Sequence, residues 1–405
     1  MSASAHRLRG LSWRALLLSA LVLSAALYAS TLPGKSLLMD FRGGLYDAGR
    51  AIVHGHDPYQ AGFLAHQAAI MRAGGLAGGE TLVNDFSVPL YPAPINVAVV
   101  PLSVLPLWLA GSLFTLLSLT AITLGLRLLG LRDWRCFALV LVSWPLAFSL
   151  YVGALGPLLV LGAGIVWRWR DRLWSPAIAT AAVIVAKLFP WPIAVWLAIT
   201  RRWRTLALAL AIGCAATLLA WAAIGFAGMS QYLQMLSNAS FIQERRADSL
   251  VAVLLAAGVP AGLATALAFA AAGSLLALAW RVARRPEGEC AAFALAILAA
   301  LTASPLVWEH YMVLLFIPLA LIVPRLSALW LAPLCSPLVL VISEALVPMS
   351  GPVRPSDQHT LRGAVLWLAI EAVLVARACR SGNASSSLTA AGRRRAAPSL
   401  AEIAA

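Results

Sequence analysis

Charge is scarce in this sequence. Only 11% of its 405 residues are charged and 61% are hydrophobic, against about a quarter and about half in soluble domains, which excludes a water-soluble fold. Lysine is nearly absent, with Lys35 and Lys187 the two in the chain. Five cysteines, Cys136, Cys214, Cys290, Cys335 and Cys379, lie scattered in or beside apolar segments without metal-like spacing, and read as small core hydrophobes. The strict polar and apolar alternation of an outer-membrane barrel is missing, and so is any internal repeat of fixed period. There is no Gly-rich phosphate loop, no zinc spacing and no Ser-His-Asp arrangement. A cytoplasmic enzyme acting on a nucleotide sugar is therefore disfavoured, and neither a metal nor a cofactor is called for.

What the chain does hold is a series of apolar runs approaching the ~20 residues that cross a bilayer as a helix. Read against their breakers, they place spans near 13–32, 108–129, 136–150, 154–168, 175–188, 189–200, 205–225, 263–282, 289–303, 311–323, 327–347 and 362–378. The expected fold is all-α, a polytopic transmembrane helical bundle of about twelve spans with two larger external loops, about 33–107 and about 226–262. Residues 1–380 form one domain, and 381–405 form a disordered cytoplasmic tail rich in Ser and Ala. The first run is longer than the about 7–15 apolar residues of a signal peptide and is kept as a span.

Orientation comes from arginine. The net charge of +14 is spread in groups of two or three between apolar runs, a topological pattern and not a nucleic-acid footprint. Arg127, Arg132 and Arg135, then Arg168, Arg170 and Arg172, then Arg201, Arg202 and Arg204, then Arg281, Arg284 and Arg285 fall on the side of both termini. The positive-inside rule makes that side cytoplasmic, with Trp134, Trp167, Trp169, Trp174 and Trp203 as an interfacial belt. The run after Tyr91-Pro92-Ala93-Pro94 would reverse every later loop if it crossed fully, so it is read as a re-entrant or half-depth helix.

Most of the polar chemistry then collects outside. Asp40 lies just past the first membrane exit, where partial desolvation raises a carboxylate pKa and improves it as a general base; the plain alternative is a solvated loop acid or a helix N-cap. Asp47, Arg50 and His54 follow at helical spacing, so Leu45 to His54 reads as an interfacial helix ended by the Gly55-His56-Asp57-Pro58-Tyr59 turn. Lys187, at the external end of its run, suits a lipid phosphate, or simply snorkels. Trp308, Glu309, His310 and Tyr311 gather an indole, an acid, an imidazole and a phenol where two spans meet. Arg245 and Arg246, with Glu244 and Asn238, stand in the second loop, adjacent arginines suiting phosphate; Asn238-Ala239-Ser240 also matches a glycosylation sequon. Glu344 and Glu371 fall inside late spans, paired with Arg354 or Arg362 or protonated.

These residues, taken in order from Asp40-Phe41 through Gly55 and Asp57-Pro58-Tyr59, resemble glycosyltransferase family 87, a group of GT-C-type enzymes similar to polyprenol-phosphate-mannose-dependent mannosyltransferases. The resemblance continues through Tyr91-Pro92, Pro101-Leu102, Leu105-Pro106, Lys187-Leu188-Phe189-Pro190 before Arg201-Arg202-Trp203-Arg204, Asn238 with Ser240, and Ser304-Pro305 with Trp308 and His310. It departs at Gly153-Ala154-Leu155-Gly156-Pro157, where the family often has a Gly-Gln-x-Asn turn, at Ala239 and at Tyr311. The resemblance implies a catalytic carboxylate in the first external loop, and Asp40 is the matching position. It implies transfer of a hexose, mannose first, from a polyprenyl-phosphate sugar to an extracytoplasmic glycan or glycolipid, in a cell membrane with both termini cytoplasmic. Lys187, Arg245 and His310 would offset phosphate charge, Trp308 or Tyr59 would stack on sugar, and Tyr91, Asn238 and Glu309 complete the substrate side. An arabinofuranosyl donor, a lipid-linked-sugar flippase and a non-catalytic scaffold are the rival readings; a transporter should carry its ionisable residues near mid-membrane in inverted repeats.

Overall fold

A computed structural model of the chain describes residues 37–59, 61–73, 89–333 and 363–380, and among them every regular element is helical. The expected span 13–32, most of 327–347, and the tail from 381 lie outside the described residues, as do Lys35, Glu344, Arg354 and Arg362.

The described chain opens with α1 (Met39–Phe41), which runs through a π-helical stretch (Arg42–Tyr46) into α2 (Asp47–Val53). His54 closes α2 and Gly55 follows with φ +71°, the left-handed geometry that glycine adopts freely after a helix end. Next come α3 (Ala61–Arg72) and α4 (Ala93–Ser103). With 11 residues α4 is about 16 Å long, half the ~30 Å hydrocarbon core, the length of a half-depth helix.

Three helices are long and apolar enough to cross a bilayer unaided: α5 (Leu107–Leu128), α11 (Trp203–Ala223) and α14 (Ala261–Ala283). Pro106 and Pro260, in extended geometry at the caps, start α5 and α14, where a missing N–H costs nothing. Their outer surfaces expose Leu113, Leu116 and Leu117 on α5, Leu218 and Leu219 on α11, and Leu263 and Phe269 on α14. Such wide apolar exposure fits lipid and not water.

The expected span 136–150 is broken into α6 (Trp134–Leu141) and α7 (Trp144–Val152), bent by 49°. Pro145 lacks the N–H that would continue the ladder, so the helix stops at Val142 and restarts. Then follow α8 (Gly156–Arg168), α9 (Trp174–Ala186) and α10 (Pro192–Ile199), each shorter than a bilayer is thick. After α11 come α12 (Tyr232–Gln243), α13 (Leu250–Ala256), α14, α15 (Glu289–Ala303), a 3-10 helix (Glu309–Leu315), α16 (Phe316–Ile322) and a last helix over 363–380.

Small residues set how closely these helices approach. A Cβ on Gly125 of α5 would lie 2.8 Å from the backbone of α8, and one on Gly164 of α8 would lie 2.7 Å from the Gly125 carbonyl, so the two backbones touch. Ala264, Ala268, Ala272 and Ala279 make a buried stripe along α14, the first two packed against Val251 and Leu255 of α13 and the last two against α15. From Ala291 to Ala303 every residue of α15 is buried, making it the central helix of the bundle. Arginines gather at the end of the bundle away from Lys187: Arg202 pairs with Glu289 and with Asp171 at 2.7 Å, and Arg170 with Glu289 at 3.3 Å. Arg170 and Arg202 also lie over Trp167 and Trp196. The fold is thus an all-helical membrane bundle whose two ends differ in chemistry.

Candidate active site

Asp40 stands in the single turn of α1, and the residues on either side of it are fixed. Leu38, in left-handed geometry with φ 55°, donates its N–H to the Tyr151 carbonyl at 2.7 Å. Phe41 is fully buried and stacks on Phe114 at 4.6 Å. Downstream, Tyr46 donates its hydroxyl to the Leu105 carbonyl at 2.7 Å, which ties the helix to the end of α4. Gly44 leaves room for Tyr91, whose ring carbon Cε2 would lie 2.9 Å from an added Cβ.

Between these anchors the Asp40 carboxyl faces three other elements. His310 Nε2 lies 3.5 Å from Asp40 Oδ2, with side chains 7% and 25% exposed. Lys187 closes α9, and its ammonium sits 3.6 Å from the centre of the Tyr311 ring and 5.5 Å from that of Tyr91. Phe189 stacks on the other side of this group, 5.3 Å from Tyr311 and nearly parallel to it. The His310 ring meets Tyr311 edge-on at 4.7 Å, and neither of its nitrogens has a hydrogen-bond partner among the described residues. Unsatisfied buried nitrogens are rare and ask for a partner. Burial lifts the Asp40 carboxyl to about 6, with the Lys187 charge working against the rise.

The other expected residues divide. Glu309 adjoins the cluster and accepts the indole N–H of Trp144. Trp308, half-buried, caps the 3-10 helix and takes the Tyr311 N–H on its carbonyl at 2.7 Å. Tyr59 is packed elsewhere: its ring lies on Trp221 at 5.3 Å and edge-on to Tyr232, leaving it 6% exposed. Its hydroxyl reaches the Tyr91 carbonyl at 3.2 Å, so it touches the site only through backbone. Asn238 is buried inside α12 and accepts from Arg72 at 3.1 Å, so the sequon lies within a helix with its Asn covered. Arg245 is exposed in the turn after α12. Glu371, buried in the last helix, has the Thr302 hydroxyl at 3.3 Å.

Residues 90–307 match the model of glycosyltransferase family 87. The chain belongs to glycosyltransferase family 87. No protein of curated function and no solved structure matches it. As a member of family 87 the chain is a membrane glycosyltransferase, using a sugar donor and an acceptor. The family match takes in Tyr91 and Lys187, begins after Asp40 and stops before His310. What joins Asp40 and His310 to the matched region is their geometry.

A glycosyltransferase needs a group that takes a proton from the acceptor and something to balance charge on the leaving group. The cluster offers one half-buried carboxyl with an imidazole 3.5 Å away, and an ammonium whose charge acts on that carboxyl. One further residue stands out only in three dimensions. Asp248, 5% exposed, donates its N–H to the Val307 carbonyl at 2.6 Å, and its carboxylate accepts the Glu309 N–H, so the segment leading to His310 is clasped from the loop before α13. Burial and the Glu309 charge raise its carboxyl well above the usual range. Tyr311 links Lys187 to His310. Asp248 carries no local signal beyond residue type, because it acts through partners distant in sequence.

Proposed function

We propose that this family 87 member transfers a hexose, mannose first, from a polyprenyl-phosphate sugar to an acceptor glycan or glycolipid outside the cytoplasmic membrane. The observation that carries the reading is the Asp40 carboxyl, raised to about 6 and held beside Lys187 and His310. Asp40 takes the proton from an acceptor hydroxyl as that oxygen bonds to the anomeric carbon. The bond from that carbon to the phosphate oxygen breaks, and its electron pair leaves with the polyprenyl phosphate. Lys187 offsets the charge that grows there. Phosphate leaves readily without protonation, so one carboxylate suffices, unlike the paired acids of glycosidases. A direct displacement inverts the anomeric configuration.

In this reading His310 and Tyr91 border the reacting atoms, Trp308 and Glu309 lie on the sugar side, and exposed Arg245 draws in an anionic headgroup. Tyr59 and Asn238 serve by supporting the loops that carry the site. Both termini lie on the arginine side, which is cytoplasmic, and an arabinofuranosyl phosphate would meet the same chemistry. The test compares donors. Membranes containing the protein receive either polyprenyl-phosphate mannose or GDP-mannose, radiolabelled in the sugar, with endogenous lipid-donor synthesis removed. Label should pass to acceptor from the lipid donor alone, with inverted configuration; transfer from GDP-mannose alone would contradict the proposal.

A further inference from the structure

The face of α7 that meets the Asp40 cluster carries three aromatic rings, and packing leaves the outermost, Trp144, exposed. Trp144, Phe148 and Tyr151 recur four and three residues apart and so share one side of the helix. Their rings form a near-parallel ladder, Trp144 to Phe148 at 5.6 Å and 11°, and Phe148 to Tyr151 at 6.2 Å and 17°. The inner end is tied to the reacting groups. Phe148 stands 5.9 Å from the His310 ring, and the Tyr151 carbonyl holds Leu38, two residues before Asp40.

The outer end is open. Trp144 is 38% exposed, and its indole N–H is donated to Glu309 Oε2. Glu309 Oε1 accepts no hydrogen bond among the described residues; it shares the space beside Gly363 with the Asp248 carboxylate, a Cβ on Gly363 standing 3.9 Å from Glu309 Oε1 and 2.9 Å from Asp248 Oδ1. An aromatic surface with a carboxylate oxygen that lacks a donor at its edge matches one ligand chemistry well. A pyranose ring has an apolar C–H face and a rim of hydroxyl donors, and it needs both partners side by side. A lipid chain would need apolar walls alone, and a carboxylate beside it would be costly.

We propose that Trp144, Phe148 and Glu309 seat a pyranosyl unit of the acceptor, its C–H face on the open side of Trp144 and a hydroxyl on Glu309 Oε1. The inference rests on the glycosyl-transfer reading above, because it gives the acceptor side of that reaction a place. A sugar seated there lies along the ladder toward His310, so the hydroxyl to be glycosylated comes from the end nearer Asp40.

The test is binding without donor. Full-length protein in lipid nanodiscs is mixed with methyl α-mannopyranoside, methyl α-glucopyranoside and methyl β-galactopyranoside in turn, and saturation transfer to the sugar ring protons is followed by NMR. At least one glycoside should give a signal in the wild type. It should fall about threefold to tenfold in Trp144→Ala, the range an aromatic contact supplies, and fall less in Trp144→Phe. In Glu309→Gln, which keeps an acceptor for the indole, binding should weaken while ring-proton contact persists. Absence of signal for all three sugars in the wild type, or equal signals in wild type and Trp144→Ala, would overturn the assignment. Because no donor is present, a protein that failed to transfer would still bind sugar here. A transferase with its acceptor elsewhere would transfer without depending on Trp144.

Discussion

At the scale of the residue, Asp40 sits between two opposed influences. Burial raises its carboxyl to about 6, and the ammonium of Lys187 keeps it from rising further. A base works when ionised, so transfer should climb through about pH 6 with one proton's slope and level off above it. Replacing Lys187 with Met removes the charge that favours the carboxylate, so the climbing limb should move to higher pH. A pH profile of kcat for the two proteins checks both statements, and a limb that stays in place in Lys187→Met would separate Lys187 from Asp40. The candidates at Asp40, Lys187 and His310 were legible in the sequence as scarce ionisable residues beside apolar runs. Their mutual distances were not, since α1, the end of α9 and the 3-10 helix meet only through tertiary packing. Tyr59 shows the converse: an aromatic beside a turn reads as a sugar platform, yet Trp221 and Tyr232, more than 150 positions away in the chain, occupy its ring.

At the scale of the element, the position of Asp40 depends on the end of α7. Gly153 closes that helix with φ +72°, and a Cβ there would stand 2.6 Å from the Phe41 Cβ. Gly153→Ala therefore adds a left-handed strain of about 1–2 kcal/mol and also pushes on the residue after Asp40. We expect a lower thermal midpoint together with a loss of kcat that exceeds the loss of folded protein; wild-type kcat in the folded fraction would show that α1 does not need this contact. The end of α2 was readable from the turn at Gly55, and in the structure Pro106 and Pro260 stand in the same way directly before α5 and α14. The bend between α6 and α7 was less so. Pro145 marks a break, but an apolar run over 136–150 also reads as one straight span, and sequence alone does not say that the second half turns to lie along the 3-10 helix carrying His310. The reading of the run after Tyr91 as a re-entrant or half-depth helix rests on the charge that a full span would misplace; α4 there has 11 residues.

At the scale of the whole molecule, composition decided the class, since 61% hydrophobic residues and 11% charged ones leave only a membrane fold. The number of crossings is harder to read. Three helices reach bilayer length alone, and the shorter ones, such as α8 and α9 with 13 residues each, depend on neighbours and on flanking residues to complete a path. Chemistry follows the same polarity, with Arg170 and Arg202 locked to Glu289 at one end and Asp40, Lys187 and His310 at the other. If the arginine end is cytoplasmic, the reaction takes place on the outer face. A single measurement joins the side, the donor and the base. Right-side-out vesicles carrying labelled polyprenyl-phosphate mannose are given a membrane-impermeant mannose-containing acceptor, and transfer is compared between the wild type and Asp40→Asn, which keeps the shape of the side chain and removes its proton-accepting charge. The wild type should transfer mannose to the outside acceptor, and Asp40→Asn should do so at a rate lower by about 10²-fold or more. Equal rates in the two proteins would contradict this role of Asp40.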